Sequence, residues 1–229
     1  MTDSRTRNGG QLLMDSLVAL GATRGFGVPG ESYLAVLDAM VDHANAFDLV
    51  LCRQEGGAAY MAAAWGKLTG EPGLCFVTRG PGATNATVGI HTAMQDSVPM
   101  ILFVGQVGTD VMGREAFQEV DYTAFFGPLA KWAVQIDHVD RVPEIISRAW
   151  TVAMSGRPGP VVVALPEDML VGTSDRLPCD PVTIPEPAVP EAGAAQMAAM
   201  LAAAERPVML VGGTRWTAGS ARALESFAA

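Results

Sequence analysis

The sequence predicts an α/β fold: a parallel six-stranded sheet with helices on both faces, followed by the truncated start of a second α/β domain. Three observations predict it. Short strand-like runs alternate with helix-period segments over residues 10–166, the order that βα units and a parallel sheet produce. The strand-like runs are nearly all apolar and rich in Val, Ile and Leu, as strands buried on both faces are. A proline-rich stretch, 172–193, then interrupts the alternation before a brief new βα start.

Each element has a local reason. Leu12, Leu13, Leu17 and Leu20 repeat at helical spacing and predict a helix over 10–20. The same periodicity places helices over 32–44, 55–69, 83–95, 114–126 and 142–155. Strands are read at "FGV" (26–28), "DLVLCR" (48–53), "GLCFVT" (73–78), "MILFVG" (100–105), "WAVQI" (132–136) and "PVVVALP" (160–166). Ligands of open α/β sheets sit beyond the carboxyl ends of the strands. That rule marks Pro29–Gly30, Gln54–Glu55, Thr78–Gly82 and Gly105–Gln106 as one rim. Residues 172–193 carry five prolines and no periodicity, which reads as an extended linker. An Ala-rich helix (194–204), a strand at "RPVMLVGG" and a helix from Ser220 follow. The expected division is a first domain at 1–171, a linker at 172–193 and an incomplete second domain at 194–229, since one βα start cannot close a core.

Composition narrows the function classes. The chain has 229 residues, 49% of them hydrophobic, so a large core can form. The net charge is −9 and the Lys and Arg residues are scattered, which argues against a nucleic-acid partner. No apolar run reaches the roughly 18 residues a membrane span needs, and "MTDSRTRNGG" lacks the apolar centre of a signal peptide. Cys52, Cys75 and Cys179 are odd in number and far apart, as in a protein of the reducing cytoplasm. His43, His91 and His138 stand alone, with no metal-ligand spacing. Neither a Gly-x-Ser-x-Gly elbow nor a Walker loop is present.

Three stretches carry candidate chemistry. Gly25-x-Gly27-x-x-Gly30 has the dinucleotide spacing. However, a helix-period segment precedes it where a strand is required, and Pro29 removes an N–H that a phosphate loop would offer. A tight turn after a short buried strand is the other reading. Glu55 follows an apolar strand and opens "EGGAAYMAAAWGK", crowded with small residues. It is either a helix-capping acid favoured by the helix dipole or an acid in an apolar site, with a raised pKa, ready for proton transfer. "TRGPGATN" (78–85) joins a strand to a helix. Its amides could hold an anion or a polar ring edge, or serve an ordinary βα turn.

Taken together, "GVPGES", "RQEGGAAYMAAAWGKLTG", "TRGPGATN", "GREAFQEVD", "PLAKW" and "RPGPVVVALPED" occur in this order. The chain thereby resembles thiamine-diphosphate-dependent enzymes, in particular the acetolactate synthase branch, densely over 10–170 and loosely over 195–229. The resemblance implies that this is the aminopyrimidine-binding domain plus the start of a middle domain. It implies that Glu55 hydrogen-bonds the pyrimidine N1′ and acts catalytically, and that Pro29, Gly30, Thr78, Pro81, Gly82 and Asn85 line the cofactor. Phe117 and Gln118 would face a reaction centre of the partner subunit, with Lys131 also on the substrate side. It further implies a 2-oxo acid substrate and a homodimer or tetramer. Mg²⁺ would be held by a Gly-Asp-Gly motif that this chain lacks, and FAD is left open as a cofactor. The chain alone is expected to be inactive. Other thiamine-diphosphate lyases, oxidases or acyl-CoA decarboxylases, and a non-catalytic dimerisation or binding domain, remain alternatives. Four departures stand out. Gln54 replaces a usual His and cannot ionise, Glu31 and Ser32 replace two small residues, and Gly108 replaces a proline. Glu31 disfavours an anionic oxo acid unless a cation compensates.

Overall fold

The computed structural model describes residues 6–228. The first five positions of the predicted first domain and the last of the third lie outside the described residues.

The chain opens with a two-residue strand, β1 (Arg7–Asn8), and a helix, α1 (Gly9–Ala19). Asn8 caps α1 by accepting from the Gln11 amide while the Gln11 side chain accepts from the Asn8 amide, a capping box. The elements that follow are β2 (Arg24–Gly27), α2 (Leu34–Asp42), β3 (Asp48–Leu51), α3 (Glu55–Thr69), β4 (Gly73–Val77), α4 (Gly80–Gln95) and β5 (Met100–Gln106). Then come α5 (Tyr122–Phe126), β6 (Trp132–Gln135), α6 (Val142–Met154), β7 (Pro160–Pro166), α7 (Glu167–Val171) and β8 (Thr173–Ser174). The last helices are α8 (Glu191–Ala203) and α9 (Ala218–Ala228).

Six strands form one parallel sheet in the order β3-β2-β4-β5-β7-β6. The period-2 geometry of a strand sorts its residues onto two faces. Leu74, Phe76, Ile101, Phe103, Val161, Val163 and Leu165 pack with α1, α2 and α6 on one side. Cys75, Val77, Leu102, Val104, Val162 and Ala164 pack with α3, α4 and α5 on the other. Every residue of β4, β5 and β7 is buried, which is why these runs show no polar alternation in the sequence. The α/β sheet with helices on both faces is thus as expected.

Several expectations change. The predicted helix over 114–126 is only α5; residues 107–121 form a loop, with Gly113, Glu115 and Gln118 at positive φ. A helix cannot pass through such residues. α4 starts at Gly80, one turn earlier than the periodicity suggested, with Pro81 suited to the first turn. The 172–193 stretch is not all linker: β8 pairs antiparallel with β1, and Val182 and Ile184 pack against the core. "RPVMLVGG" is not a strand. Val208 and Leu210 are exposed, and among the described residues no strand lies beside them to pair with.

The small residues of α3 have a packing reason. A Cβ built at Gly89 of α4 would lie 2.4 Å from the Ala59 Cβ, and one at Gly73 would lie 1.8 Å from the Ala62 carbonyl oxygen. Helix propensity favours alanine over glycine by about 1 kcal/mol, whereas overpacking a tight interface costs about 1–3 kcal/mol, so the clash wins. Gly89→Ala is therefore expected to lower stability in urea unfolding, by about 1–2 kcal/mol net. Gly212→Ala, where a Cβ meets nothing within 4 Å, is the control and should change little.

Candidate functional site

The carboxyl ends of the parallel strands bring most of the predicted residues together. After β2 the chain bends at Val28–Gly30, held by Tyr33, whose hydroxyl donates to the Val28 carbonyl at 2.6 Å. Burial foremost, then the neighbouring Cys75 and Glu55, raises the Tyr33 pKa, so the phenol stays a donor at neutral pH. Gly30 lies against Thr78: a Cβ at Gly30 would come within 2.5 Å of the Thr78 Cβ. Ser32 and Thr78 share a hydroxyl–hydroxyl hydrogen bond of 2.9 Å. Gly82 also packs on Thr78 and Val77. Pro29 and Pro81 are exposed on the rim. The glycines of the dinucleotide-like spacing work differently from a phosphate loop. Gly25 and Gly27 lie within β2, where the Phe47 and Phe76 rings and the Phe76 backbone fill the space a side chain would need.

Glu55 is the first residue of α3, and Gln54 is the cap, accepting from the Gly57 amide at 2.8 Å. The capping reading therefore belongs to Gln54. Glu55 is half-buried, and Asn85 of α4 donates to its Oε2 at 2.9 Å. The other oxygen, Oε1, has no hydrogen-bond partner among the described residues. Thr84 is not a helix cap: it lies in the second turn of α4 and donates back to the Gly80 and Pro81 carbonyls.

Phe117 and Gln118 sit on the loop after β5. The Gln118 carbonyl accepts from the Gly80 amide at 2.9 Å, which ties the loop to the start of α4, and Phe117 projects into solvent. Lys131 is not brought to this rim. It precedes β6, at the amino end of the sheet, and donates to the Val152 and Ser155 carbonyls at the end of α6. There it satisfies orphan carbonyls and complements the helix dipole; burial lowers its pKa.

Four further groups organise the rim, and although Gln106 and Arg79 lie in the stretches marked at the strand ends, the sequence gives none of the four a role. Tyr33 holds the bend. Gln106 is buried, donates to the Val120 carbonyl and accepts from the Val107 amide, fixing both ends of the loop. Arg79 is buried between Glu31 and Glu167. Burial works against its charge, but Glu167 and then Glu31 raise its pKa overall. Glu119 accepts from the Gly113 amide at 2.6 Å and the Ala116 amide at 3.0 Å, and those bonds lower its pKa. Only contacts seen in the structure reveal these roles.

Glu119 stabilises a loop whose Glu115 and Gln118 lie at φ 54 and 63, a region that costs non-glycine residues energy. A lowered carboxylate pKa stabilises above the ordinary glutamate range and is lost as the pH falls through the lowered value. Glu119→Gln keeps one acceptor and turns the other into a donor facing an N–H. Hydrogen exchange of the Ala116 and Gly80 amides is expected to rise at least tenfold in this variant at pH 7; unchanged protection would mean the loop holds itself.

The residues fit one flat, polar heterocycle better than a phosphate. The polar groups at the head of α3 and α4 are a carboxylate with one open oxygen, an amide and nearby hydroxyls, and the arginine that precedes α4, Arg79, is already held by Glu31 and Glu167. Residues 7–125 match the family described as thiamine pyrophosphate enzyme, N-terminal TPP binding domain. The chain is 37% identical over 222 residues to the acetolactate synthase isozyme 2 large subunit of Escherichia coli, covering 97% of this chain and 40% of that protein. It is 38% identical over 218 residues to the probable acetolactate synthase large subunit of Methanocaldococcus jannaschii, covering 90% and 36%. With the acetolactate synthase large subunit of Lactococcus lactis it shares 41% identity over 162 residues, covering 71% and 28%. The chain therefore spans less than half the length of these relatives. With its parallel sheet, its rim and this match, the chain belongs to the thiamine pyrophosphate enzymes and carries their N-terminal cofactor-binding domain.

Proposed function

We propose that this chain is the N-terminal part of a longer enzyme acting on 2-oxo acids by decarboxylation and carboligation; the motifs it shares with the acetolactate synthase branch and its similarity to acetolactate synthase large subunits support this reading. Residues 1–171 are the pyrimidine-binding domain, 172–193 a linker that begins with β8, and 194–229 the opening of a middle domain. The observation that carries the reading is the Glu55–Asn85 pair on the rim, with one carboxylate oxygen open.

Glu55 would hold a proton at the pyrimidine N1′ through Oε1, while Asn85 fixes the carboxylate through Oε2. Gly30, Thr78, Pro81 and Gly82 would form the wall beside the ring, with Pro29 at the bend. Thiamine diphosphate, when bound, supplies a thiazolium carbon that adds to the oxo acid and takes up the charge left by CO₂ loss. The rim's own contribution is proton placement and orientation. Gln54 would take no part in proton transfer, because an amide does not ionise; its oxygen accepts from the Gly57 amide and caps α3.

Mg²⁺ and the diphosphate would be held by residues outside this chain, and FAD is a further candidate cofactor. The active assembly would be a cytoplasmic homodimer or tetramer, with Phe117 and Gln118 reaching the partner's reaction centre. No helix among the described residues is long and apolar enough to cross a membrane.

The test is CO₂ release from 2-oxo acids by the full-length protein with thiamine diphosphate and Mg²⁺, against its Glu55→Gln variant. The amide cannot share the proton, so kcat is expected to fall about 100-fold or more. Turnover within a few-fold of the unaltered protein would reject the Glu55 assignment. Residues 1–229 alone are expected to release none; product from them would show that the chain is a complete enzyme.

A further inference from the structure

Glu31 adds an acid to a rim that is proposed to receive an anionic substrate. Arg79 answers it. This residue lies between Thr78 and Gly80, and its Nη1 reaches Glu31 Oε1 at 3.2 Å while its Nη2 reaches Glu167. One guanidinium thus joins the chain just after β2, β4 and β7, beside the Gly30–Thr78 contact.

The exposures are unequal. The Arg79 side chain is 10% exposed, whereas those of Glu31 and Glu167 are 68% and 41%. The Arg79 Nε is buried without a partner, so it offers no donor to a ligand. Solvent at this corner meets two carboxylates, not the cation between them. The three side chains sum to one negative charge. A guanidinium suits carboxylates as a rigid fork, and here its outer edge is already occupied. A substrate carboxylate arriving at this corner finds no free guanidinium and is repelled by the two acids in front of it.

We infer that the Glu31–Arg79–Glu167 cluster sets the charge of the acceptor substrate: it masks Arg79 and turns the rim against a second 2-oxo acid, in favour of an uncharged aldehyde. This rests on the proposed function and specifies its second substrate. In that reaction one 2-oxo acid loses CO₂, its acyl carbon bonds to the acceptor's carbonyl carbon, and the acceptor oxygen takes up a proton. Donor, acceptor and one proton give a hydroxy ketone and CO₂, without any oxidant or reductant. The two acceptors differ in charge and in bulk, the oxo acid carrying a carboxylate where the aldehyde carries hydrogen.

The experiment uses the full-length protein with thiamine diphosphate and Mg²⁺, pyruvate as donor, and equal concentrations of pyruvate and acetaldehyde as competing acceptors. The readout is the ratio of acetolactate to acetoin. The unaltered protein should favour acetoin. Glu31→Gln and Glu167→Gln keep size and polarity, and both positions are substantially exposed, so folding is retained. Each should shift the ratio toward acetolactate, and the pair together by about tenfold. The shift should shrink in 1 M salt, which a steric effect would not do. An unchanged ratio in the double variant, with CO₂ still released, overturns the inference and leaves the proposed function intact. An unaltered protein that favours acetolactate also overturns it. No CO₂ release from any 2-oxo acid by the unaltered protein overturns both.

Discussion

The candidate site depends on how closely α3 and α4 approach. Glu55 begins one helix and Asn85 lies in the second turn of the other, and they meet at 2.9 Å where glycine and alanine let the two helices approach closely. Gly89 rests on Ala59, and Gly56 lies where a Cβ would be 3.2 Å from the Asn85 carbonyl oxygen. The sheet beneath anchors both helices through fully buried strands. Interiors this dense do not absorb an added methyl silently. The position of the half-buried Glu55 carboxylate is therefore set in part by the glycine and alanine residues packed behind it.

The rest of the rim follows the same logic at one remove. Thr78 is shared by Gly30, Ser32 and Gly82, and Arg79, its neighbour, binds acids from two other strand ends. Bend, turn and α7 are thus coupled through two consecutive residues. Residues that look independent in the sequence, Glu31 and Arg79, Ser32 and Thr78, are partners in space. An acid at one strand end is held by an arginine from another, which keeps the architecture while the corner as a whole stays negative.

Much of this was legible in the sequence, for physical reasons. Buried parallel strands must be apolar throughout, so "GLCFV" and "PVVVALP" announce themselves. The rule that ligands sit beyond strand carboxyl ends located the Gly30, Glu55 and Thr78 corners before any contact was known. The loop at 107–121 is hidden from helical periodicity because Glu115 and Gln118 carry no mark of their positive φ, and the Glu119 carboxylate beside them binds the loop's own amides. Lys131 was associated with the substrate side, yet its neighbours in space are the last carbonyls of α6, more than twenty residues away in sequence. "RPVMLVGG" has the composition of a strand, but a strand is a property of a pair.

The most direct measurement is a crystal structure of the full-length protein with thiamine diphosphate and Mg²⁺. The pyrimidine N1′ is expected within hydrogen-bond distance of Glu55 Oε1, with the ring edge along Gly30, Thr78 and Gly82, and with the Asn85 contact retained. A pyrimidine seated elsewhere, or a Glu55 turned to solvent with the ring held by other groups, would contradict it.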